Sequence, residues 1–189
     1  MKNYFAGALL VMMSTSALAE QPSYDYFQLT WQTVELDDSF IDVDGDGFGL
    51  SGSFEVGQDW HIIAGYSDTG LDFGVDLKEF AIGGGYHTEI APNTSMFANL
   101  LWVNFDVSAS GFGSADESGL GASVGVRSNV TDKVELAGSI SYVDLGGGAD
   151  GTSFGVGAWY HFTDAFSLGV IGDFDDDVTA FGIGGRFFF

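Results

Sequence analysis

Apolar residues alternate with glycine or polar residues along most of this chain, in runs that short polar turns separate. Because successive side chains of a β-strand point to opposite faces, such alternation predicts strands with one apolar face. Four turns rich in Asn, Asp, Thr, Gly and Pro begin at Val56, Ile90, Val130 and Phe162, each between two alternating runs. Turns of this composition predict β-hairpins, so the pattern indicates an all-β protein.

The four hairpins supply eight strands, and one further alternating run lies at each end of the hairpin array. The sequence therefore predicts ten strands, with eight as the alternative if one hairpin lies outside the sheet. The predicted strands cover 24–34, 48–56, 60–68, 79–88, 94–106, 119–128, 133–144, 153–162, 166–173 and 178–189. Most are close to the ~9–11 residues that a tilted strand needs to cross a lipid bilayer.

The two faces of these strands predict a transmembrane, antiparallel, up-and-down barrel rather than a soluble one. Arg186 shares one face of the last run with glycines, whereas Phe181 and Ile183 share the opposite face. A charge is costly in hydrocarbon, so the Arg186 face is predicted to line the interior and the apolar face to contact lipid. A soluble barrel has its apolar face inside. We therefore expect no hydrophobic core, and we expect small inward residues such as Gly125 and Gly169 to leave room for water.

Both ends of the chain favour export to the bacterial outer membrane. Lys2, an apolar stretch over 4–13 and Ala17-Leu18-Ala19 form a signal-peptide pattern, which predicts removal of residues 1–19 and a barrel domain over 20–189. The last residues, Arg186-Phe187-Phe188-Phe189, end an alternating strand on an aromatic residue. Such a strand must pair with the first, because a sheet in lipid cannot leave an edge unpaired. The chain has no cysteine and therefore no disulfide.

Carboxylates dominate the charge of the predicted mature chain. Loss of Lys2 leaves four bases against 27 acids, a net charge of −23. Nucleic acid is excluded as a partner because phosphate binding needs a basic surface. Eighteen of the acids fall in the longer predicted connections or at the neighbouring strand tips. Long loops of outer-membrane barrels face outward, so outer-membrane lipid and lipopolysaccharide are the predicted contacts of a monomeric barrel.

The sharpest motif in the acidic connections is Asp42-Val43-Asp44-Gly45-Asp46-Gly47. It matches the start of a calcium loop, in which Asp42, Asp44 and Asp46 would converge on one cation and a glycine permits the turn. The twelfth position, where a bidentate Glu is expected, is Ser53. The motif is therefore either a calcium site or a solvated acidic loop, and no other cofactor is predicted. The acidic loops together could also hold Ca²⁺ or Mg²⁺ against lipopolysaccharide phosphates.

A second set of polar residues falls on the inward faces near the short turns. It could line a pore constriction, form a hydrogen-bonded plug, or consist of charges that pair to satisfy one another. Its members are Glu55, His61, His87, Arg127, Glu135, His161 and Arg186. No Ser/His or Asp/His pair is evident at the rim of the long loops, so no enzymatic activity is predicted.

Several short motifs follow one another in a recognisable order. They include Asp44-Gly45-Asp46-Gly47-Phe48-Gly49, Gly65-Tyr66-Ser67, Gly84-Gly85-Tyr86-His87, Ile90-Ala91-Pro92-Asn93-Thr94 and Gly185-Arg186-Phe187. This order resembles a family of small outer-membrane barrels from plant-pathogenic and environmental proteobacteria, once described as activators of rice immunity. The resemblance implies a porin-like barrel without established catalysis or agreed active-site residues.

Two functions stay open at this point. One is a narrow passive diffusion pore. The other is a non-conducting structural or surface barrel, whose acidic loops bind divalent cations, lipopolysaccharide or a partner.

Overall fold

The computed structural model describes residues 21–37, 42–111, 113–146 and 150–189, and within these ranges the chain forms a closed barrel of ten antiparallel strands. The strands are β1 (Tyr26–Asp37), β2 (Asp42–Glu55), β3 (Trp60–Leu71), β4 (Val75–Ala91), β5 (Thr94–Ala109), β6 (Gly113–Thr131), β7 (Val134–Asp144), β8 (Asp150–Thr163), β9 (Phe166–Phe174) and β10 (Val178–Phe188). Each pairs with its neighbours in sequence, and β1 pairs with β10 to close the sheet. The predicted all-β fold and strand count are confirmed.

The barrel has two distinct ends. The short turns and the segment 21–25 before β1 lie at one end, called here the turn end. The longer connections lie at the other, called the outer end because such loops face outward in this class of protein. They include a single 3₁₀ turn, Asp72–Gly74, between β3 and β4. Residues 1–19, the predicted signal peptide, lie outside the described residues. Among the described residues, no helix is long and apolar enough to span a bilayer.

Side-chain exposure follows the predicted alternation. Phe54, Leu120 and Ile183 point outward and are each more than half exposed, whereas Gln28 and Arg186 point inward and are buried. Apolar side chains cover the outer face of every strand in its middle section, where they would contact lipid. The predicted assignment of lipid-facing and inward faces is therefore confirmed.

The strands extend further toward the outer end than their apolar rows. β4, β5 and β6 have 17, 16 and 19 residues, and β2 begins at Asp42 within a predicted loop. The predicted connections 36–47 and 107–118 are therefore largely strand. Alternation shows only the part of a strand that faces lipid. Above that level neighbouring backbones still satisfy each other's hydrogen bonds, so pairing continues through polar sequence.

The barrel interior contains an apolar cluster, so the prediction that it lacks a hydrophobic core was wrong. The cluster lies on β3, β4 and β5 and at the end of β7, and comprises Ile63, Ala81, Leu101, Val103, Phe105, Val143 and Leu145, with Leu77 packed against it. β5 is apolar on both faces. Leu100 is exposed to lipid while the adjacent Leu101 is buried inside. Alternation of polarity cannot reveal an inward row when both rows are apolar.

The small inward residues do not leave the space that the sequence suggested. A β-carbon added at Gly169 would lie 2.5 Å from the ring of Trp159, and one at Gly184 would lie 2.7 Å from Thr30. At Gly125 an added β-carbon would clash with the ring of Phe97. At these three positions the glycine makes room for an inward side chain of a neighbouring strand, so the space beside it is occupied by protein.

Candidate functional site

A buried ionic cluster lies inside the barrel near the turn end. Arg127 on β6 donates from Nε to Glu135 Oε1 at 3.3 Å and from Nη2 to Oε2 at 3.0 Å, a two-point contact across the β6–β7 hairpin. Nη1 of Arg186 on β10 lies 3.6 Å from Oε1 of the same carboxylate. All three side chains are fully buried. One carboxylate on β7 thus stabilises two guanidinium groups, one from the adjacent β6 and one from β10, which reaches it across the interior.

Aromatic faces and an amide complete the surroundings of Arg186. Its Nε donates to Gln28 Oε1 at 2.9 Å. Its guanidinium carbon lies 3.7 Å from the ring centroid of Trp159 and 5.1 Å from that of Tyr26. Ring faces attract a cation through their quadrupole, and the attraction grows when water is excluded. These contacts offset part of the positive charge that a single Glu135 leaves unbalanced.

The segment 21–25 folds into the mouth of the barrel beside this cluster. Its Tyr24 is only 3% exposed. The ring stacks on His87, with centroids 3.8 Å apart, and on His61, with centroids 4.6 Å apart. The guanidinium carbon of Arg127 lies 4.6 Å from the same ring centroid. The Tyr24 hydroxyl and Ser95 Oγ are 3.1 Å apart, within hydrogen-bond distance. Tyr24 therefore fills the space between the walls of the mouth.

Backbone hydrogen bonds hold the same segment in place. Arg127 Nη1 donates to the carbonyl oxygen of Ser23 at 3.3 Å, and the Tyr24 amide donates to Glu55 Oε1 at 3.0 Å. In return, the Glu55 amide donates to Asp25 Oδ1 at 2.7 Å. Glu55 and Arg127 thus bind the segment 21–25 at the turn end, which the sequence did not indicate.

The hydrogen-bond network assigns tautomers to two of the three histidines. His61 Nε2 lies 2.9 Å from Asn99 Oδ1, and Asn99 Nδ2 donates to Ser123 Oγ at 3.1 Å. Because the amide oxygen accepts, His61 carries its proton on Nε2, and its Nδ1 accepts from His87 Nδ1 at 3.2 Å. Two neutral imidazoles satisfy this arrangement.

The predicted inward set is thus brought together only in part. Arg127, Glu135 and Arg186 contact one another, and Glu55, His61 and His87 join them through Tyr24. His161 stands apart on the β8–β9 hairpin, where its Nδ1 lies 2.6 Å from Ser167 Oγ. The sequence analysis missed the aromatic partners Tyr24, Tyr26 and Trp159. Their only signal was an inward position in the alternation.

Carboxylates form a rim at the outer end, on the outward face of the wall. Three cross-strand pairs place acids directly opposite each other: Glu35 with Asp44, Asp106 with Asp116, and Asp144 with Asp150. Directly opposed side chains in antiparallel strands have β-carbons ~4.5–5.5 Å apart, and like charges there are destabilising. This outer rim is defined by these three pairs.

Little positive charge offsets the outer rim. In the part of the chain that the structure describes, Lys78 is the base at this end; it lies 3.9 Å from Asp68 and stands directly opposite the rim residue Asp106. In the connection after β9, burial raises the pKa of Asp175, and repulsion from Asp176 and Asp177 acts in the same direction. The outer rim also lies just beyond exposed aromatic residues, since Trp102 precedes Asp106 and Tyr142 precedes Asp144 on the same outward face. Its level therefore corresponds to lipid headgroups.

The predicted calcium motif lies in strand β2, so the expectation of a loop was wrong. Asp44 and Asp46 point outward from an extended backbone, in which alternate residues are ~6.6 Å apart and do not converge as in a calcium loop. The side chain of Asp42 lies outside the described residues. Among the described side chains, no three His, Cys, Asp or Glu residues are grouped to hold a metal ion. Asp44 and Asp46 instead line a groove with Glu35 and Asp72, and the calcium site stays a prediction.

A closed barrel with outward apolar rows and a buried ionic cluster at its turn end defines a bacterial outer-membrane β-barrel protein. Residues 5–162 match the outer membrane protein beta-barrel domain family, and the chain belongs to that family. A comparison with curated protein sequences finds no match.

Solved structures share the barrel fold at low sequence identity. An outer membrane channel from Pseudomonas putida F1 is 13% identical, with 96% of this chain and 100% of that chain covered and a TM-score of 0.57. The KdgM porin in complex with disordered oligogalacturonate is 8% identical, with coverages of 87% and 99% and a TM-score of 0.52. The translocator domain of the autotransporter NalP from Neisseria meningitidis is 10% identical, with coverages of 90% and 91% and a TM-score of 0.50. These likenesses concern the fold alone.

Proposed function

We propose that this protein is a monomeric, non-enzymatic surface barrel that is closed to solutes, and that its outer rim binds divalent cations together with lipopolysaccharide. The observation that carries the proposal is the set of large side chains buried inside the barrel. Tyr24 and the Arg127–Glu135–Arg186 cluster occupy the turn end, and the apolar cluster around Val103 occupies the wall above it. A diffusion pore needs a water-lined path between these groups, whereas their side chains are almost fully buried.

The outer rim supplies the second half of the proposal. Opposed carboxylates repel each other, and lipopolysaccharide phosphates at the same level would add further negative charge. Ca²⁺ and Mg²⁺ bind carboxylate and phosphate oxygens, so one ion between a rim pair and a phosphate would offset both repulsions. The proposed partner is therefore lipopolysaccharide held through cations.

Conductance separates this proposal from the narrow pore. The purified barrel, with folding verified by circular dichroism, is inserted into planar bilayers beside a general porin as a positive control. We expect no discrete current steps from this protein, because in the proposal Tyr24, the Arg127–Glu135–Arg186 cluster and the apolar cluster around Val103 together block a water path. Regular single-channel steps from the wild type would contradict closure and favour the diffusion pore, and would leave the outer rim to be tested separately.

The outer rim makes a distinct prediction about Ca²⁺. In vesicles containing lipopolysaccharide, Ca²⁺ at about a hundred times its dissociation constant should stabilise the wild type by about 2.7 kcal/mol. The triple variant Asp44→Asn, Asp106→Asn, Asp144→Asn removes one acid from each opposed pair, so it should lose most of this gain while being more stable than the wild type without Ca²⁺. Thermal unfolding with and without Ca²⁺ measures both effects.

The matched control carries Asp132→Asn and Asp164→Asn, two exposed acids in the short turns at the opposite end. It should keep the full Ca²⁺ response. A variant with Asn at Asp42, Asp44 and Asp46 tests the calcium motif by itself. If this motif variant loses the Ca²⁺-dependent stabilisation and the rim variant keeps it, the ion is held by the motif. An equal Ca²⁺ response in the wild type and the rim variant would rule out the outer rim as the site.

A further inference from the structure

An aromatic side chain projects from the tip of the β3–β4 connection at the outer end. Phe73 lies in the 3₁₀ turn Asp72–Gly74 and is 77% exposed, more than any of the lipid-facing aromatic residues in the described strands. It lies in the turn that joins β3 to β4, close to the level of the opposed pair Glu35 and Asp44. An exposed large apolar side chain at such a tip is a feature of binding surfaces, in which aromatic residues supply much of the contact energy.

The backbone presents Phe73 in a conformation that its residue type does not favour. Phe73 has φ 62° and ψ 17°, and Gly74 follows with φ 70°. Side chains with a β-carbon rarely adopt this left-handed region, and glycine or asparagine would form the turn more easily. The turn is nevertheless fixed, because the Ser110 amide donates to the Gly74 carbonyl oxygen at 3.0 Å. The aromatic ring is thus held outward by an anchored turn that does not itself require it.

Negative charge surrounds the foot of the same turn. Beside Phe73, the carboxylate residues Glu35, Asp44, Asp46 and Asp72 line a groove of about 600 Å³. Lys78, the nearest base in the described part of the chain, already lies 3.9 Å from Asp68. An apolar anchor next to a row of carboxylates complements a surface that offers an apolar pocket flanked by lysine or arginine.

We propose that Phe73 and this groove form a docking surface for a cationic protein. The ring would enter an apolar pocket of the partner, and the four carboxylates would face its basic side chains. A second copy of this chain does not fit, because its outer end carries the same negative charge. Anionic lipid headgroups are repelled for the same reason. Two of the four carboxylates, Glu35 and Asp44, also form one pair of the outer rim. The interaction nevertheless goes beyond the proposed binding of cations and lipopolysaccharide, because it depends on the aromatic side chain of Phe73.

Two synthetic peptides of equal positive charge test the surface, one alternating arginine with leucine and one alternating arginine with serine. The barrel is held in nanodiscs of neutral phosphatidylcholine, and binding is measured by calorimetry at two salt concentrations. The wild type should bind the arginine–leucine peptide at least tenfold more tightly than the arginine–serine peptide. Phe73→Gly, which suits the left-handed backbone, should abolish this preference, and Phe73→Trp should retain it. The double variant Asp46→Asn, Asp72→Asn should bind both peptides more weakly than the wild type, and its binding should depend less on salt concentration.

Unchanged peptide preference in Phe73→Gly would overturn the proposal, as would equal binding of a glutamate–leucine peptide. Binding of phosphatidylglycerol vesicles that is lost in Phe73→Gly would overturn it in favour of a lipid surface. Phe73→Gly should leave the Ca²⁺ response and the absence of conductance unchanged. A failure of the docking surface is therefore distinguishable from a failure of the closed, cation-binding barrel.

Discussion

Replacing Glu135 with leucine is expected to destabilise the barrel by about 3–5 kcal/mol, the largest effect of any single substitution considered for this protein. Glu135 is the counter-ion of both Arg127 and Arg186, and all three side chains are fully buried. Without the carboxylate, two guanidinium groups would remain in a low-dielectric interior beside each other. Equilibrium unfolding in urea from lipid vesicles measures the change in free energy.

A triple variant provides the control for Glu135. Replacing Glu135 with leucine together with Arg127→Met and Arg186→Met removes the whole ionic cluster and fills it with apolar side chains of similar size. Replacing a buried ion pair or triad in this way is often neutral or stabilising, so this variant should recover most of the lost stability. If the single and triple variants were equally unstable, packing volume rather than unbalanced charge would explain the loss.

Arginine at Ile140 is expected to cost about 2–4 kcal/mol if the position lies near the bilayer midplane. Ile140 lies on β7 in the outward row and is about half exposed, where it would contact hydrocarbon. Thr152 on β8 offers a matched outward position, paired with the girdle residue Tyr142 near the outer end. Arginine at Thr152 should cost only about 0–1 kcal/mol, because a charge near the interface keeps its hydration. The same unfolding titration measures both arginine variants. Equal losses of stability would mean that Ile140 and Thr152 do not differ in depth within the bilayer as assigned.

The strand count and the facing of the wall could be predicted because both depend on local pattern. Turn composition marks the hairpins, and a single charge such as Arg186 decides which of two alternating rows avoids lipid. The upper wall could not be predicted, since its outward positions are polar, as at Asp44 and Asp116, and only pairing with a neighbour keeps the backbone extended. The inward apolar cluster could not be predicted because both rows of β5 are apolar. Leu100 and Leu101 are equally apolar, and only barrel closure separates them.

The charged residues of the candidate site could be predicted from the sequence, but its aromatic residues could not. Buried arginine and glutamate in a lipid-embedded barrel have few alternatives to pairing, so Arg127, Glu135 and Arg186 could be placed inside. Tyr24 precedes the first strand, and nothing in its local sequence indicates that the segment turns back into the mouth. That contact depends on Glu55, His61 and Arg127, which converge only when β2, β3 and β6 are assembled. Long-range convergence of this kind is not encoded in alternation or turn composition.

The contacts of Tyr24 and Arg186 bear on how the barrel assembles and comes apart. The segment before β1 contacts residues of β2, β3, β4, β5 and β6, and Arg186 of β10 reaches Glu135 on β7 as well as Gln28 on β1. Strands that are not neighbours in the sheet are therefore fastened to one another across the interior. A strand cannot leave at the β1–β10 seam without breaking contacts on the far wall. Such cross-bracing favours cooperative loss of the whole barrel over stepwise unzipping, and it delays completion of the interior until the last strand has joined the first.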